Sequence, residues 1–291
     1  MMRYLIVLLF LPIGLFAQKS KGKAKISNGQ GTLFAYWGNN RSSYTKSTIH
    51  FVGTGYDFTL KGCKATDSKT PFNPSIYLNP AKLTLPQYNV RVGYYISKGY
   101  AIAIGFDHMK YAFSEKNEVL LSGTINPGID TVNNWSGSYS SFPVVTDRNT
   151  FNYDQVKGLN YLKLEFIKTD RWYEAGKNNW FVASTNLGLG LGGILSTTNF
   201  TFAGKTNTTS SSYMTGIAFS AQVGIRLEFF KHLFIQSTFS GGYMQQMHVP
   251  TRNNEPNAIA KQKFGYTSFD NALGILLYIR PTNDCNSCPH W

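Results

Sequence analysis

The feature that most constrains the fold of this chain is a stretch of strict alternation at residues 87–107. Successive side chains of a β-strand point to opposite faces, so apolar residues at every second position indicate strands. A short turn at 97–99 separates two such runs, which predicts a hairpin with one apolar face and one face of small and polar groups. The apolar positions are Tyr88, Val90, Val92, Tyr94 and Ile96, then Tyr100, Ile102, Ile104 and Phe106.

The polar face fixes the register of this hairpin, because a slip of one residue would exchange the two faces. The predicted pairs are Tyr95 with Ala101, Gly93 with Ala103, Arg91 with Gly105 and Asn89 with Asp107. A soluble sandwich could bury the apolar face. Strands of about ten residues, with charges among glycine and alanine on the second face, are instead typical of a transmembrane barrel.

Composition favours the barrel. Aromatic and charged residues each make up 15% of the chain, whereas soluble domains carry about 25% charged residues. The mean hydropathy of −0.21 is compatible with a membrane barrel, because apolar and polar residues alternate in barrel strands and their average is therefore low. The net charge of +13 comes from scattered basic residues, which favours contact with anionic lipid headgroups and predicts no nucleic-acid partner.

The N-terminus predicts export. Residues 1–17 combine a basic Arg3, an apolar run and a small residue, Ala17, as in a cleaved signal peptide. Residues 18–31 are basic and unpatterned, and we interpret them as a flexible periplasmic leader. No later run offers the roughly 18 apolar residues of a transmembrane helix.

Six further alternating segments bring the predicted strand count to eight. Short turns alternate with long loops, as in barrels whose periplasmic turns are short and whose extracellular loops are long. The predicted barrel spans residues 32–280, and residues 281–291 form a periplasmic tail. The predicted strands besides the opening hairpin cover about 32–44, 157–168, 180–195, 217–229, 233–247 and 267–280, and the predicted loops cover about 45–85, 112–156, 197–212 and 248–266.

The patterned segments resemble the small eight-stranded outer-membrane barrels of Gram-negative bacteria. The segments SSYTKSTIHF, YDFTL and FDHMKY also resemble an uncharacterised group of barrels from Bacteroidota. These resemblances imply an all-β, antiparallel up-and-down barrel in the outer membrane and supply no activity. The hairpin arm at 49–60 is assigned to the first loop, because a ninth strand would break the even count.

Charged residues on the predicted inner face are expected to pair. An eight-stranded barrel is just wide enough to be filled by side chains, so these pairs predict a plug rather than a channel, with a small ion path as the alternative. The predicted lumen network consists of Arg91, Asp107, Lys163, Glu165, Arg226, Glu228 and Asp270.

A second set of polar residues is expected near the extracellular rim. A histidine there could act as a general base for Ser114 or for water, oriented by a carboxylate such as Asp57, in an enzyme that modifies lipid acyl chains. Adjacent strand residues point to opposite faces, however, so Asp107 and His108 cannot form one dyad without a bulge. The candidate catalytic residues are His50, Asp107, His108 and His248.

The cysteines predict at most a local disulfide in the C-terminal tail. Cys285 and Cys288 can form a local disulfide in an exported protein, and a metal site that includes His290 lacks a fourth ligand in the tail. We predict no cofactor and no metal. The preferred function is a non-enzymatic envelope anchor whose long loops bind lipopolysaccharide or another envelope protein. The alternatives are an acyl-modifying enzyme and a small pore.

Overall fold

The computed structural model describes residues 27–68, 87–176 and 179–279, and all of its regular structure is β-strand. Within these ranges no helix is long and apolar enough to cross a membrane. The strands are β1 (Thr32–Tyr44), β2 (Ser47–Gly53), β3 (Tyr56–Cys63), β4 (Ala65–Thr66), β5 (Tyr88–Ser97), β6 (Tyr100–Phe113), β7 (Glu118–Ile125), β8 (Gly137–Val145), β9 (Asn152–Ala175), β10 (Phe181–Phe202), β11 (Lys205–Ser210), β12 (Gly216–Phe229), β13 (Leu233–Pro250) and β14 (Ile259–Tyr278).

Eight of these strands close into a ring. The order is β1-β5-β6-β9-β10-β12-β13-β14, and β14 pairs with β1 to complete the circle. Every pairing is antiparallel and joins strands that follow one another around the wall. The predicted fold class, an all-β antiparallel up-and-down barrel of eight strands, is confirmed.

The predicted register of the opening hairpin is also confirmed. Arg91 pairs with Gly105, and Asn89 pairs with Asp107. The Arg91 side chain requires a glycine at position 105, because a Cβ at Gly105 would lie 2.6 Å from Nε of Arg91. A larger residue would therefore displace the guanidinium from the wall.

The ring is strongly staggered. Following paired residues once around the barrel leads from Leu33 back to Ser43, so the path returns ten residues further along β1. This shift is ten residues of about 3.3 Å along the strand, over eight strand spacings of about 4.8 Å around the barrel. The ratio of the two lengths corresponds to strands tilted by about 41° from the barrel axis. Each residue then rises about 2.5 Å along the barrel axis, and each step to the next strand about 3 Å.

An apolar belt surrounds the ring. On β12 the outward residues from Ile217 to Leu227 span ten residues, which is about 25 Å along the axis and matches the apolar band of a membrane barrel. The outward side chains are exposed, with Leu189 at 66% and Leu273 at 66%. Other members of the belt are Val92, Ile104, Leu164, Phe166, Leu191, Phe219, Ile225, Ile235 and Phe269.

The two ends of the barrel differ. The turn end carries the short β5–β6, β9–β10 and β12–β13 connections and an exposed aromatic girdle of Trp172, Tyr173, Trp180 and Phe230. Part of the predicted flexible leader lies here as ordered chain. Gly99 donates its backbone N–H to the carbonyl of Asn28, and Gly31 donates to Tyr95. Residues 27–31 therefore line the mouth of the barrel instead of trailing from it. Residues 1–26 and 280–291 lie outside the described ranges.

The loop end differs most from the sequence prediction. The segments predicted as loops contain β2, β3, β4, β7, β8 and β11, and β9, β10, β13 and β14 continue beyond the ring. We call this set of strands above the ring the extension. The arm at 49–60 becomes the β2–β3 hairpin, and β2 pairs with the loop-end part of β14. The hairpin therefore extends the sheet above the ring without adding a ninth strand to the ring.

The barrel interior is lined by buried side chains, as β9 shows. Descending β9 from the loop end, the buried inward residues include Tyr153, Tyr161, Lys163, Glu165 and Ile167. Aromatic residues thus lie in the extension, charged residues at the centre of the ring and Ile167 nearer the turn end. Phe34, Tyr95 and Phe234 complete the lower apolar layer.

Candidate functional site

Four charged side chains meet at the centre of the ring. Arg91 contacts Asp107 at 2.7 Å and Glu165 at 2.8 Å, and Lys163 contacts the same two carboxylates at 3.0 and 2.7 Å. All four residues are buried. The cluster contains two positive and two negative groups, so each charge has two partners of opposite sign. This arrangement neutralises the interior and obstructs it.

Of the other three predicted network residues, Arg226 and Glu228 lie apart from this cluster, whereas Asp270 is close enough to Asp107 for their charges to interact. Arg226 donates from Nε to Oε1 of Gln236 at 2.8 Å and from Nη1 to the Tyr95 hydroxyl at 3.1 Å. Asp270 accepts a hydrogen bond from Ser268 at 2.6 Å. Glu228 is buried at the turn end beside a cavity of about 10 Å³, which has room for about one water molecule.

The candidate catalytic residues are dispersed. His50 and Asp57 form a pair at 2.6 Å between Nε2 and Oδ1, but on the solvent-exposed face of the β2–β3 hairpin. Asp107 belongs to the buried charge cluster. His108 points to the outer face, as the strand parity requires, and its Nδ1 lies 2.6 Å from Oδ1 of Asn160. His248 is exposed and contacts the ring of Tyr213.

Within the described residues, no serine hydroxyl is hydrogen-bonded to the His50–Asp57 pair. The strand neighbours of His50 are Lys261 and Thr59. Ser114 instead follows β6 and donates its backbone N–H to the carbonyl of Lys64. A histidine, a carboxylate and a serine do not converge within the described residues. Catalysis by this set stays a prediction that the geometry does not favour.

The extension has a core of its own, made mostly of aromatic rings. Phe51 lies at its centre, with ring centroids 5.1–5.5 Å from Phe58, Phe151, Tyr153 and Phe200. Such pairs contribute about 0.5–1.5 kcal/mol each beyond area burial. Trp135 from the β7–β8 connection, Tyr56 of β3 and Phe202 of β10 extend the cluster. The sequence analysis did not identify this core, because all eight of these rings come from segments interpreted as loops.

Cys63 marks the border of this core. Its thiol is buried and donates to the carbonyl of Leu60 at 3.4 Å, and burial raises its pKa to about 12. In a Cys285→Ser, Cys288→Ser variant at pH 8, we expect maleimide to label folded Cys63 on the order of a thousandfold more slowly than unfolded Cys63, because the thiolate is so scarce. Mass spectrometry of the labelled chain measures both rates. Equal rates would show that the thiol is accessible.

The outer face of the extension is basic. Lys263 of β14, Thr48 of β2 and Lys61 of β3 lie side by side in one row of paired residues. Lys261 lies two residues above Lys263, and all three lysines are exposed and have no recorded ion pair among the described residues. Lys46 is exposed just before β2. With adjacent strands about 4.8 Å apart, the three lysine charges share a patch about 10 Å wide.

This basic face lies just above the belt. Lys263 is four residues beyond the outward Thr267 on β14. With the rise and stagger given above, Lys263 lies about 7 Å and Lys261 about 12 Å above the level of Ile217, the top of the belt. The headgroup zone of a bilayer begins at this height.

The chain is thus an eight-stranded up-and-down β-barrel with an apolar belt, a filled interior and a folded extension. No protein-family model and no curated protein matches it. Among solved structures it is similar to Neisserial surface protein A (8% identity, 86% of this chain and 97% of that chain, TM-score 0.33). It is also similar to Ail of Yersinia pestis (10% identity, 85% of this chain and 99% of that chain, TM-score 0.32). A third similar structure is OprG from Pseudomonas aeruginosa (9% identity, 87% of this chain and 100% of that chain, TM-score 0.36). The resemblance to Bacteroidota barrels stays a prediction.

Proposed function

We propose that the protein is a non-enzymatic outer-membrane anchor that presents the extension outside the cell and binds lipopolysaccharide through the basic face. The belt of about 25 Å supports membrane insertion, since exposed aliphatic rows of this height suit a hydrocarbon core. Outer-membrane barrels have long extracellular connections and short periplasmic turns, which supports an extracellular extension and a periplasmic turn end.

The observation that carries the choice of ligand is the position of Lys61, Lys261 and Lys263. They are unpaired, they point away from the barrel, and they lie at headgroup height. In the outer leaflet the anionic groups at this height are the phosphates of lipopolysaccharide. A basic group near an anionic membrane surface contributes about 1 kcal/mol.

The filled interior supports an anchor over a pore. The charge cluster crosses the lumen at its centre, and Arg226 with three aromatic side chains closes the layer below it. An open path would require these buried pairs to separate, and each separation would leave a buried charge without a partner.

Reversing the three charges tests the ligand. A Lys61→Glu, Lys261→Glu, Lys263→Glu variant should bind lipid A on the order of a hundredfold more weakly, because three favourable contacts of about 1 kcal/mol each are lost. Titration of the folded barrel in neutral detergent with lipid A, followed by fluorescence or native mass spectrometry, measures the affinity.

The matched control changes the same charge away from this level. Lys98 and Lys231 lie in turns at the opposite end of the barrel and Lys205 begins β11 in the extension, far above the belt, so their replacement by glutamate should leave lipid A binding nearly unchanged. Lipid A without phosphates should bind the native chain as weakly as the charge-reversed variant. Equal weakening in both variants would mean that net charge, not this face, governs binding, and the proposed ligand site would be abandoned.

A further inference from the structure

A polar row interrupts the apolar belt. Ser237, Asn271 and Asn39 lie side by side on β13, β14 and β1, each paired with the next in the register of the sheet. All three point outward, because their neighbours Gln236, Ala272 and Asn40 are buried on the inner face. We call these three residues the polar row.

The polar row lies in the middle of the belt. Along β14, Asn271 has exposed Phe269 on one side and exposed Leu273 on the other. Along β13, Ser237 lies between exposed Ile235 and Phe239. With the rise and stagger of this barrel, Asn271 is about 14 Å below the top of the belt and about 11 Å above its lower edge. Lipid headgroups at either surface are therefore out of reach of its amide.

The hydrogen bonds within the row leave donors unused. The Ser237 hydroxyl donates to Oδ1 of Asn271 at 2.7 Å, and Nδ2 of Asn39 donates to the carbonyl of Gln87 at 3.0 Å. Nδ2 of Asn271 has no recorded partner among the described residues, and its side chain is exposed. Hydrocarbon offers no acceptor, so an amide in this position gains by meeting one on another protein.

We infer that the β13–β14–β1 wall is an intramembrane interface between two copies of this chain, centred on Asn271. Copies inserted in one membrane share one orientation, so a two-fold axis along the membrane normal brings each residue to its own counterpart at equal depth. A carboxamide is self-complementary under this symmetry, because its N–H can donate to the carbonyl oxygen of its copy while that copy donates back.

The residues around the polar row suit the same contact. Phe239, Phe269 and Leu273 are 54%, 48% and 66% exposed and surround the amide on a single wall. Their side chains would exclude lipid from the paired amides, as apolar residues around a central polar contact do in other interfaces. This inference concerns assembly and is independent of the lipopolysaccharide ligand.

Disulfide trapping in vesicles tests the interface. In a background with Cys63→Ala, Cys285→Ser and Cys288→Ser, the Leu273→Cys barrel keeps Asn271 and should give disulfide-linked dimers on oxidation with copper phenanthroline. Phe166→Cys is the matched control, since β9 is four strands away in the ring and Phe166 lies within about 3 Å of the same depth. The vesicles contain phosphatidylethanolamine and phosphatidylglycerol at low protein density.

The expected result is a dimer yield about tenfold higher for Leu273→Cys than for Phe166→Cys, and a fall to the control level when Asn271→Leu is added. Heat-modifiable gel mobility verifies that each variant is folded. Equal yields from the two walls, or an Asn271→Leu variant that still cross-links fully, would overturn the interface.

Discussion

Replacing Arg91 with methionine is expected to lower the free energy of unfolding by about 3–5 kcal/mol, because the change leaves buried carboxylates without their partner. Asp107 and Glu165 each lose a contact shorter than 3 Å, and only Lys163 remains to balance both. Methionine fills much of the volume, so the loss reports on charge more than on packing. Urea titration of the barrel in lipid vesicles measures the change.

Two further variants isolate this effect. Lys168→Met removes a cation that is 2.9 Å from Asp170 in a pair whose two side chains are 44% and 57% exposed, and it should barely change the free energy of unfolding. Arg91→Met combined with Glu165→Gln leaves Lys163 paired with Asp107 and should regain part of the stability. If the double variant were less stable than Arg91→Met alone, charge balance would not be what the cluster contributes.

The alternating segments could be predicted because the two faces of the wall differ so sharply. The 87–107 hairpin was predicted in its register, and β1 in both of its ends, Thr32 and Tyr44. An exposed outer row of aliphatic residues and an inner row of glycine, alanine and charge leave a single register that satisfies both. Where this contrast holds, the sequence is enough to define a strand.

The extension could not be predicted in the same way. Its outer face mixes polar residues with exposed Leu120, Phe142 and Val145, and the alternation in β2, β3 and β7 covers only seven or eight residues. Phe151, just before β9, and Tyr153 of β9 pack against the ring of Phe51, which is about 100 residues away in sequence. Only the assembled fold brings these segments to one core.

The charge cluster was predicted in part, for a related reason. Strand parity places Arg91, Asp107, Lys163 and Glu165 inside, but parity does not give their heights. The registers around the ring bring these four side chains within contact at its centre, and they place Arg226 and Glu228 nearer the turn end. The sequence alone does not give the register of every strand pair, so it does not give the heights of these residues in the barrel. For the same reason the polar row across β13, β14 and β1 was not recognised as a patch.

Phe51→Ala is expected to destabilise the extension by about 3–5 kcal/mol while the ring below stays closed. The ring of Phe51 stacks on Phe58 and Phe200 and meets Phe151 and Tyr153 edge-on, so alanine leaves a cavity at the centre of the core. Hydrogen exchange of the β2–β3 hairpin should accelerate by two to three orders of magnitude, in line with that loss. Mass spectrometry of peptides from residues 47–63 measures it.

The matched control is Phe142→Ala on β8, which deletes the same ring from a site that is 53% exposed and should barely change exchange in the hairpin. Peptides from β12, by contrast, should keep their protection in both variants, because β12 belongs to the ring and its pairs with β10 and β13 are untouched. If β12 lost protection together with β2 and β3, the barrel and its extension would be one cooperative unit. The anchor would then depend on its aromatic core to remain in the membrane, and the division between ring and extension would have no energetic meaning.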